Sequence, residues 1–166
     1  LVISPSQQVN TAEYVFPSHV NAFNDIRMNY QHSCVGACDT YDRVGYCRVK
    51  NHRGEWVELY RYVTPFGVEC DADLDVSDYS TVLQGLVEFE VYFQTWQGDG
   101  YNPTLTFNYT AGTPEYKYID MNEIWFGAFD FGDYANQQPV PEVDFDFPFG
   151  TEKANLKIIT TGHNWS

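Results

Sequence analysis

The run CVGACDTYDR, Cys34 to Arg43, packs two aspartates, a tyrosine and an arginine against a pair of cysteines. A carboxylate beside aromatic rings can act as a general base or polarise a water molecule, and Asp42 lies between Tyr41 and Arg43. The plain alternative is a turn cap or a surface ion pair, the ordinary fate of aspartate in an Asp-Arg pair. Asp39 reads as structural, bonding backbone at the turn. A second candidate is the strand-like run LVEFEVYFQTW. Its alternation puts Tyr92, Gln94 and Trp96 on one face, where rings can cover the C–H faces of a sugar and an amide can meet its hydroxyls. A solvent-facing strand that tolerates aromatics is the competing reading.

Metal chemistry is disfavoured. The four histidines, His19, His32, His52 and His163, form no H-x-H or HExxH pattern. The cysteine spacing C-x3-C-x8-C-x22-C, over Cys34, Cys38, Cys47 and Cys70, fits no common zinc pattern. It reads instead as two disulfides, Cys34–Cys38 and Cys47–Cys70, in an oxidising compartment. By the chain-entropy model the second would contribute roughly 3 kcal/mol. QGDGYNP and DADLD lack EF-hand spacing and are expected to be a hairpin loop and a strand edge. No cofactor is expected. Two sequons, at Asn108 and Asn164, matter only in a eukaryotic secretory pathway.

The elements that must position these groups are strands. The 166 residues carry 13 Tyr, 12 Phe and 4 Trp, which suit a pleated surface. Val87, Phe89, Val91, Phe93 and Thr95 alternate with Glu88, Glu90, Tyr92, Gln94 and Trp96. Leu105, Phe107 and Tyr109 alternate with Thr104, Thr106, Asn108 and Thr110. RVGYCRVK and EWVELYRYV flank a turn at Gly54, and ANLKIITTG is a further expected strand. One short helix is expected over SDYSTVLQG, capped by Ser77 or Asp78 and stopped by Gly85. The expected fold is an all-β antiparallel sandwich. A net charge of −14, with nine basic residues scattered, disfavours nucleic acid and anionic membrane surfaces as partners. No apolar stretch is long enough to span a membrane as a helix.

Several motifs in fixed order then resemble one family. CDTYDR, GEWVELYRYVTPFG, LDVSDYSTVLQG, FEVYFQTW and YTAGTPEYKY are similar to the N-terminal domain of the peptide:N-glycosidase F family of glycoprotein amidases. The match is dense from Cys34 to Tyr118 and continues to GTEKANLKIITTGHNWS. The resemblance implies two eight-stranded antiparallel jelly rolls with the active site at their junction. Residues 1–118 would form the first, and residues 119–166 a connector and the first strands of the second. It implies hydrolysis of the glycosylated Asn side-chain amide, releasing the N-linked glycan and leaving Asp. Asp42 would be the primary catalytic carboxylate. Arg43 would bind substrate, Tyr41 would match the motif aromatic, and Gln94, Trp96, His163 and Trp165 would reach the sugar cleft.

Departures are visible. The family's strand motif carries glutamate two residues before the tryptophan, where this chain has Gln94. Glutamine keeps the shape and hydrogen bonding but cannot ionise. A further catalytic glutamate of the family lies on a loop past the point matching Ser166. The resemblance thus implies activity only with the remainder of the second jelly roll, supplied by a second polypeptide, a cleaved piece or a longer chain. It also implies an N-glycoprotein or glycopeptide substrate and a secreted, extracellular or periplasmic location. A non-catalytic relative that binds glycans or proteins through the same cleft is the alternative. A copper monooxygenase of related double jelly-roll architecture would need clustered histidines, which the sequence does not offer.

Overall fold

The computed structural model describes residues 2–18, 22–127 and 142–162. Among the described residues seven strands occur in chain order: β1 (Val9–Phe16), β2 (Phe23–Cys34), β3 (Val44–Lys50), β4 (Trp56–Val63), β5 (Cys70–Asp75), β6 (Gly85–Phe93) and β7 (Tyr101–Ala111). They build a four-stranded sheet, β1-β6-β3-β4, and a three-stranded sheet, β5-β2-β7. Every pairing is antiparallel. Among these seven strands only β3 and β4 form a hairpin, and the other connections cross between sheets. This is the expected all-β sandwich of jelly-roll type. Where an eighth strand was expected, the described residues add two isolated bridges, Ile3 to Tyr101 and Ser4 to Gln7.

Period-two patterning explains the core. Val87, Phe89, Val91, Phe93 and Thr95 are all buried, and their alternating partners face outward. Ile26, Met28 and Tyr30 of β2 meet them from the other sheet, with Val49, Val57 and Leu59 completing the core. Phe16 stacks on Phe89 and meets Phe107 edge-on, so aromatic geometry ties β1 to both sheets. Polar groups enter this core at one end. His32, buried on β2, bonds the Tyr30 hydroxyl through Nδ1, and Tyr30 in turn donates to the Tyr62 hydroxyl.

Four expectations need correction. Residues 77–85 are not an α-helix. They form a single 3-10 turn, Ser77–Tyr79, after which Gly85 takes a left-handed conformation (φ 66°) and starts β6. Ser77 does not cap a helix. Its hydroxyl accepts from the Ile26 amide and donates to Asp75, tying the turn to β2 and β5. QGDGYNP is not a hairpin loop, because β6 and β7 lie in different sheets. ANLKIITTG carries no strand ladder, since no other described strand pairs with it. The Cys47–Cys70 disulfide is absent, and both thiols are free. Cys47 is on β3 and Cys70 on β5, in opposite sheets. Packed sheets stand about 10 Å apart, whereas a disulfide wants Cα atoms within about 7 Å. Cys34–Cys38 does form, with Cα atoms 5.1 Å apart.

Beyond Ala111 no strand occurs among the described residues. Part of this chain nevertheless packs on the outer side of the four-stranded sheet. Asp120 and Asn122 accept from Arg53, Glu123 accepts from the Glu58 amide at the edge of β4, and the Phe126 ring lies 4.3 Å from the Arg48 guanidinium carbon. Burial raises the pKa of the Glu123 carboxyl despite that amide and the arginines nearby.

Candidate functional site

The antiparallel registers bring three crossover loops to one end of the sandwich. Cys34 ends β2 opposite Tyr101, which opens β7; Gly45 near the start of β3 faces Phe93 at the end of β6; Val44 faces Val63 at the end of β4. The β2–β3, β4–β5 and β6–β7 loops must therefore meet. The β2–β3 loop is the CDTYDR segment, and the β6–β7 loop carries Gln94 and Trp96.

The loops interlock through backbone as well as side chains. The Cys34–Cys38 disulfide staples the root of the first. The Ala37 amide donates to the Asp99 carboxylate at 3.1 Å and the Asp99 amide returns a bond to the Ala37 carbonyl. Gly98 sits against this turn in a left-handed conformation (φ 74°), where a Cβ would stand 2.6 Å from the Ala37 carbonyl oxygen. The Gly67 amide of the β4–β5 loop donates to the Asp39 carbonyl, and Glu69 accepts from the Cys34 amide.

Asp39 is the common point. Its carboxylate accepts two bonds from the Arg43 guanidinium, from Nε at 2.8 Å and from a terminal nitrogen at 3.0 Å. It also accepts from the amides of Tyr41 (3.1 Å), Trp96 (3.3 Å) and Gln97 (3.2 Å), and from the Thr95 hydroxyl (3.4 Å). Both members of the pair are buried, at 2% and 3% exposure. Burial alone would raise the Asp39 pKa, but the Arg43 fork and the three amides outweigh it and hold the carboxyl below its usual range. The Arg43 amide donates to the Thr64 hydroxyl at 2.8 Å. Its guanidinium carbon lies 5.4 Å from the centre of the Tyr41 ring.

The structure thus brings Tyr41, Asp42, Arg43, Gln94 and Trp96 to one end of the fold. Tyr41 and Trp96 present rings to solvent, Trp96 with 61% of its surface exposed. Asp42 and Gln94 are half-buried, and the Gln94 backbone N–H donates to the Val44 carbonyl just past Arg43. Arg43 departs from this outward set, with two of its guanidinium nitrogens on Asp39. His163 and Trp165 lie outside the described residues. Thr64, Thr95 and Gln97 belong to the site and were not singled out in the sequence. A trace was there for Thr95, a hydroxyl at the end of an otherwise apolar core-facing series. Two hollows of the described surface lie away from this end, one beside Phe23 and Tyr116 and one beside Trp56 and Phe145. Among the described residues no cluster of His, Cys, Asp and Glu could hold a metal ion.

A jelly-roll-type sandwich with aromatic and acidic groups on its crossover loops is the class that fold and site define. No protein-family model matches the chain. It is 29% identical over 160 residues to peptide-N(4)-(N-acetyl-beta-D-glucosaminyl)asparagine amidase F of Elizabethkingia miricola, covering 90% of this chain and 45% of that protein. The solved structure of PNGase F, described as a glycosylasparaginase from Flavobacterium meningosepticum, is 33% identical with a TM-score of 0.63, covering 68% of this chain and 38% of that one. A PNGF-II structure shares the fold at a TM-score of 0.56 and 13% identity, covering 69% of this chain and 31% of that one. The chain is a relative of peptide:N-glycosidase F, of about the size of its N-terminal domain, and spans less than half the length of the relatives named here.

Proposed function

We propose that the chain is the N-terminal portion of an N-linked glycan amidase. In this reading Asp42 activates water, which adds to the carbonyl carbon of the glycosylated Asn side chain. The tetrahedral intermediate then collapses, the C–N bond breaks, the glycan leaves as its glycosylamine after taking up a proton, and Asp remains. Tyr41 and Trp96 cover apolar sugar faces, and Gln94 bonds sugar hydroxyls. No cofactor is required. Residues 119–166 are in this reading the connector and the first part of a second jelly roll, and the reaction requires the remainder of that domain, on this chain or on a second polypeptide. The Cys34–Cys38 bridge accords with a secreted or periplasmic protein. The observation that carries the reading is the convergence of the Tyr41-Asp42 turn and the Trp96 loop on one buried carboxylate.

A second reading is favoured by one residue. Gln94 stands where the resembled motif has glutamate, so a charge role there is gone and the cleft would bind glycan without cleaving it. One experiment separates the two. A glycopeptide is incubated with the chain alone and with the chain joined to the complementary portion of amidase F, and conversion of Asn to Asp is read by mass. The amidase reading expects conversion in the joined form and a loss of about 10²–10⁴-fold in Asp42→Asn. Glycan binding without conversion in either form would establish the second reading, and an undiminished Asp42→Asn would remove Asp42 from the mechanism.

A further inference from the structure

The CDTYDR motif holds two aspartates and one arginine, and the fold decides which pair forms. Arg43 turns inward to Asp39, four residues earlier, with two charge-assisted bonds inside a site closed to water. Both groups are almost fully buried, so neither offers substrate the exposed surface that the Tyr41 and Trp96 rings provide. The other bonds to Asp39 are distributed in an informative way. One goes to the amide of Tyr41, the residue before Asp42. The others go to the amides of Trp96 and Gln97 and the hydroxyl of Thr95, more than fifty residues away. On its far side Arg43 reaches the Tyr41 ring, and its amide is tied to the β4–β5 loop through Thr64.

We propose that the Asp39–Arg43 pair is the positioning unit of this site, and that Arg43 acts through Asp39 and Tyr41 rather than by holding substrate. Asp39 sets the separation between the loop that presents Asp42 and the loop that presents Trp96. Arg43 keeps Asp39 ionised, so that it can accept all these bonds together, and fixes the Tyr41 ring. Side-chain positions that matter for a reaction must be held to within about half an ångström by neighbours that are themselves locked. A buried, multiply bonded ion pair supplies that constraint where two loops would otherwise drift. The inference rests on the amidase reading of the site for its kinetic consequence, but its structural part does not.

The test is a double-mutant cycle with Asp39→Asn and Arg43→Lys, accompanied by Asp39→Glu, which keeps the charge and guards against a variant that merely unfolds. Hydrogen exchange of the Tyr41, Trp96 and Gln97 amides is measured in the 166-residue chain. Glycopeptide turnover is measured in the joined form described above. The positioning role expects each single variant to lose at least tenfold in exchange protection at all three amides, with the double variant no worse than the singles. It expects kcat to fall about equally in both singles while KM stays within threefold, with partial recovery in Asp39→Glu. Two results would overturn it: Arg43→Lys raising KM tenfold while Asp39→Asn leaves KM unchanged, or unaltered protection of the Trp96 and Gln97 amides in Asp39→Asn. A wild-type protein that turns over no glycopeptide defeats the amidase reading instead, and the exchange data still decide whether the pair couples the loops.

Discussion

Gly98→Ala should be among the most damaging single-methyl additions in the protein, and the size of the effect follows from its surroundings. Gly98 has φ 74°, a conformation that costs an L-residue about 1–2 kcal/mol. The added Cβ would stand 2.6 Å from the Ala37 carbonyl oxygen, 3.1 Å from the Asp39 nitrogen and 3.2 Å from the Cys38 carbonyl carbon. All three are backbone atoms of a turn stapled by the Cys34–Cys38 bridge, so the neighbour cannot step aside as a flexible side chain would. Overpacking of this kind adds about 1–3 kcal/mol. Gly54 is the internal control: its φ is 78°, yet an added Cβ meets nothing within 4 Å. Gly54→Ala should therefore show the conformational penalty alone. At about 2–4 °C per kcal/mol for a chain of this size, Gly98→Ala should lower Tm by about 4–20 °C and Gly54→Ala by about 2–8 °C. Thermal unfolding followed by circular dichroism measures both. Equal shifts in the two variants would refute the packing of Gly98 against the Ala37–Asp39 backbone, and with it the close apposition of the two loops.

Two further outcomes follow from the buried polar groups. Burial lowers the pKa of His32 to about 4, against a smaller opposing effect of Glu69, while the unfolded chain titrates near 6.5. Its folded pKa is depressed, so its contribution is fully present above about pH 6.5 and is lost as pH falls toward about 4, by up to about 3 kcal/mol. Denaturant melts across that range should show this loss, and a His32→Phe variant with the same slope between pH 6.5 and 4 would contradict it. The cysteines give a simpler count. Denatured without reductant, the chain should present two reactive thiols, Cys47 and Cys70. In the native state Cys47 should resist alkylation, being buried with its thiol pKa pushed up by desolvation. Finding no free thiol would restore the second disulfide.

Much of the framework could be read directly from side-chain period. The β6 run announced its buried face, from Val87 to Thr95, because a strand exposes alternate residues to opposite environments and burial selects apolar ones. β7, β3 and β4 were legible for the same reason, as was the turn at Gly54. The Cys34–Cys38 bridge was legible because the two residues are four apart. Tyr41, Asp42, Gln94 and Trp96 could be marked as candidates by type and spacing. What local pattern could not carry is partnership across the sandwich. SDYSTVLQG has the composition of a short helix, yet Ser77 is claimed by Ile26 and Asp75, and the segment turns instead. QGDGYNP has the composition of a hairpin turn, but its flanking strands belong to different sheets. Cys47 and Cys70 make an even count, and the spacing of the sheets keeps them apart.

The partner of Arg43 is the sharpest case. Asp42 is adjacent in sequence, and nothing local favours Asp39 over it. Asp39 prevails because the amides of Trp96 and Gln97, brought in by the β6–β7 crossover, make its position a place where a carboxylate can be buried and kept charged. Type and spacing along the chain therefore determined which residues were available for chemistry and which faces were buried. Only the tertiary structure decided which of them meet, because the desolvation and hydrogen bonding that choose between two carboxylates come from strands distant in sequence.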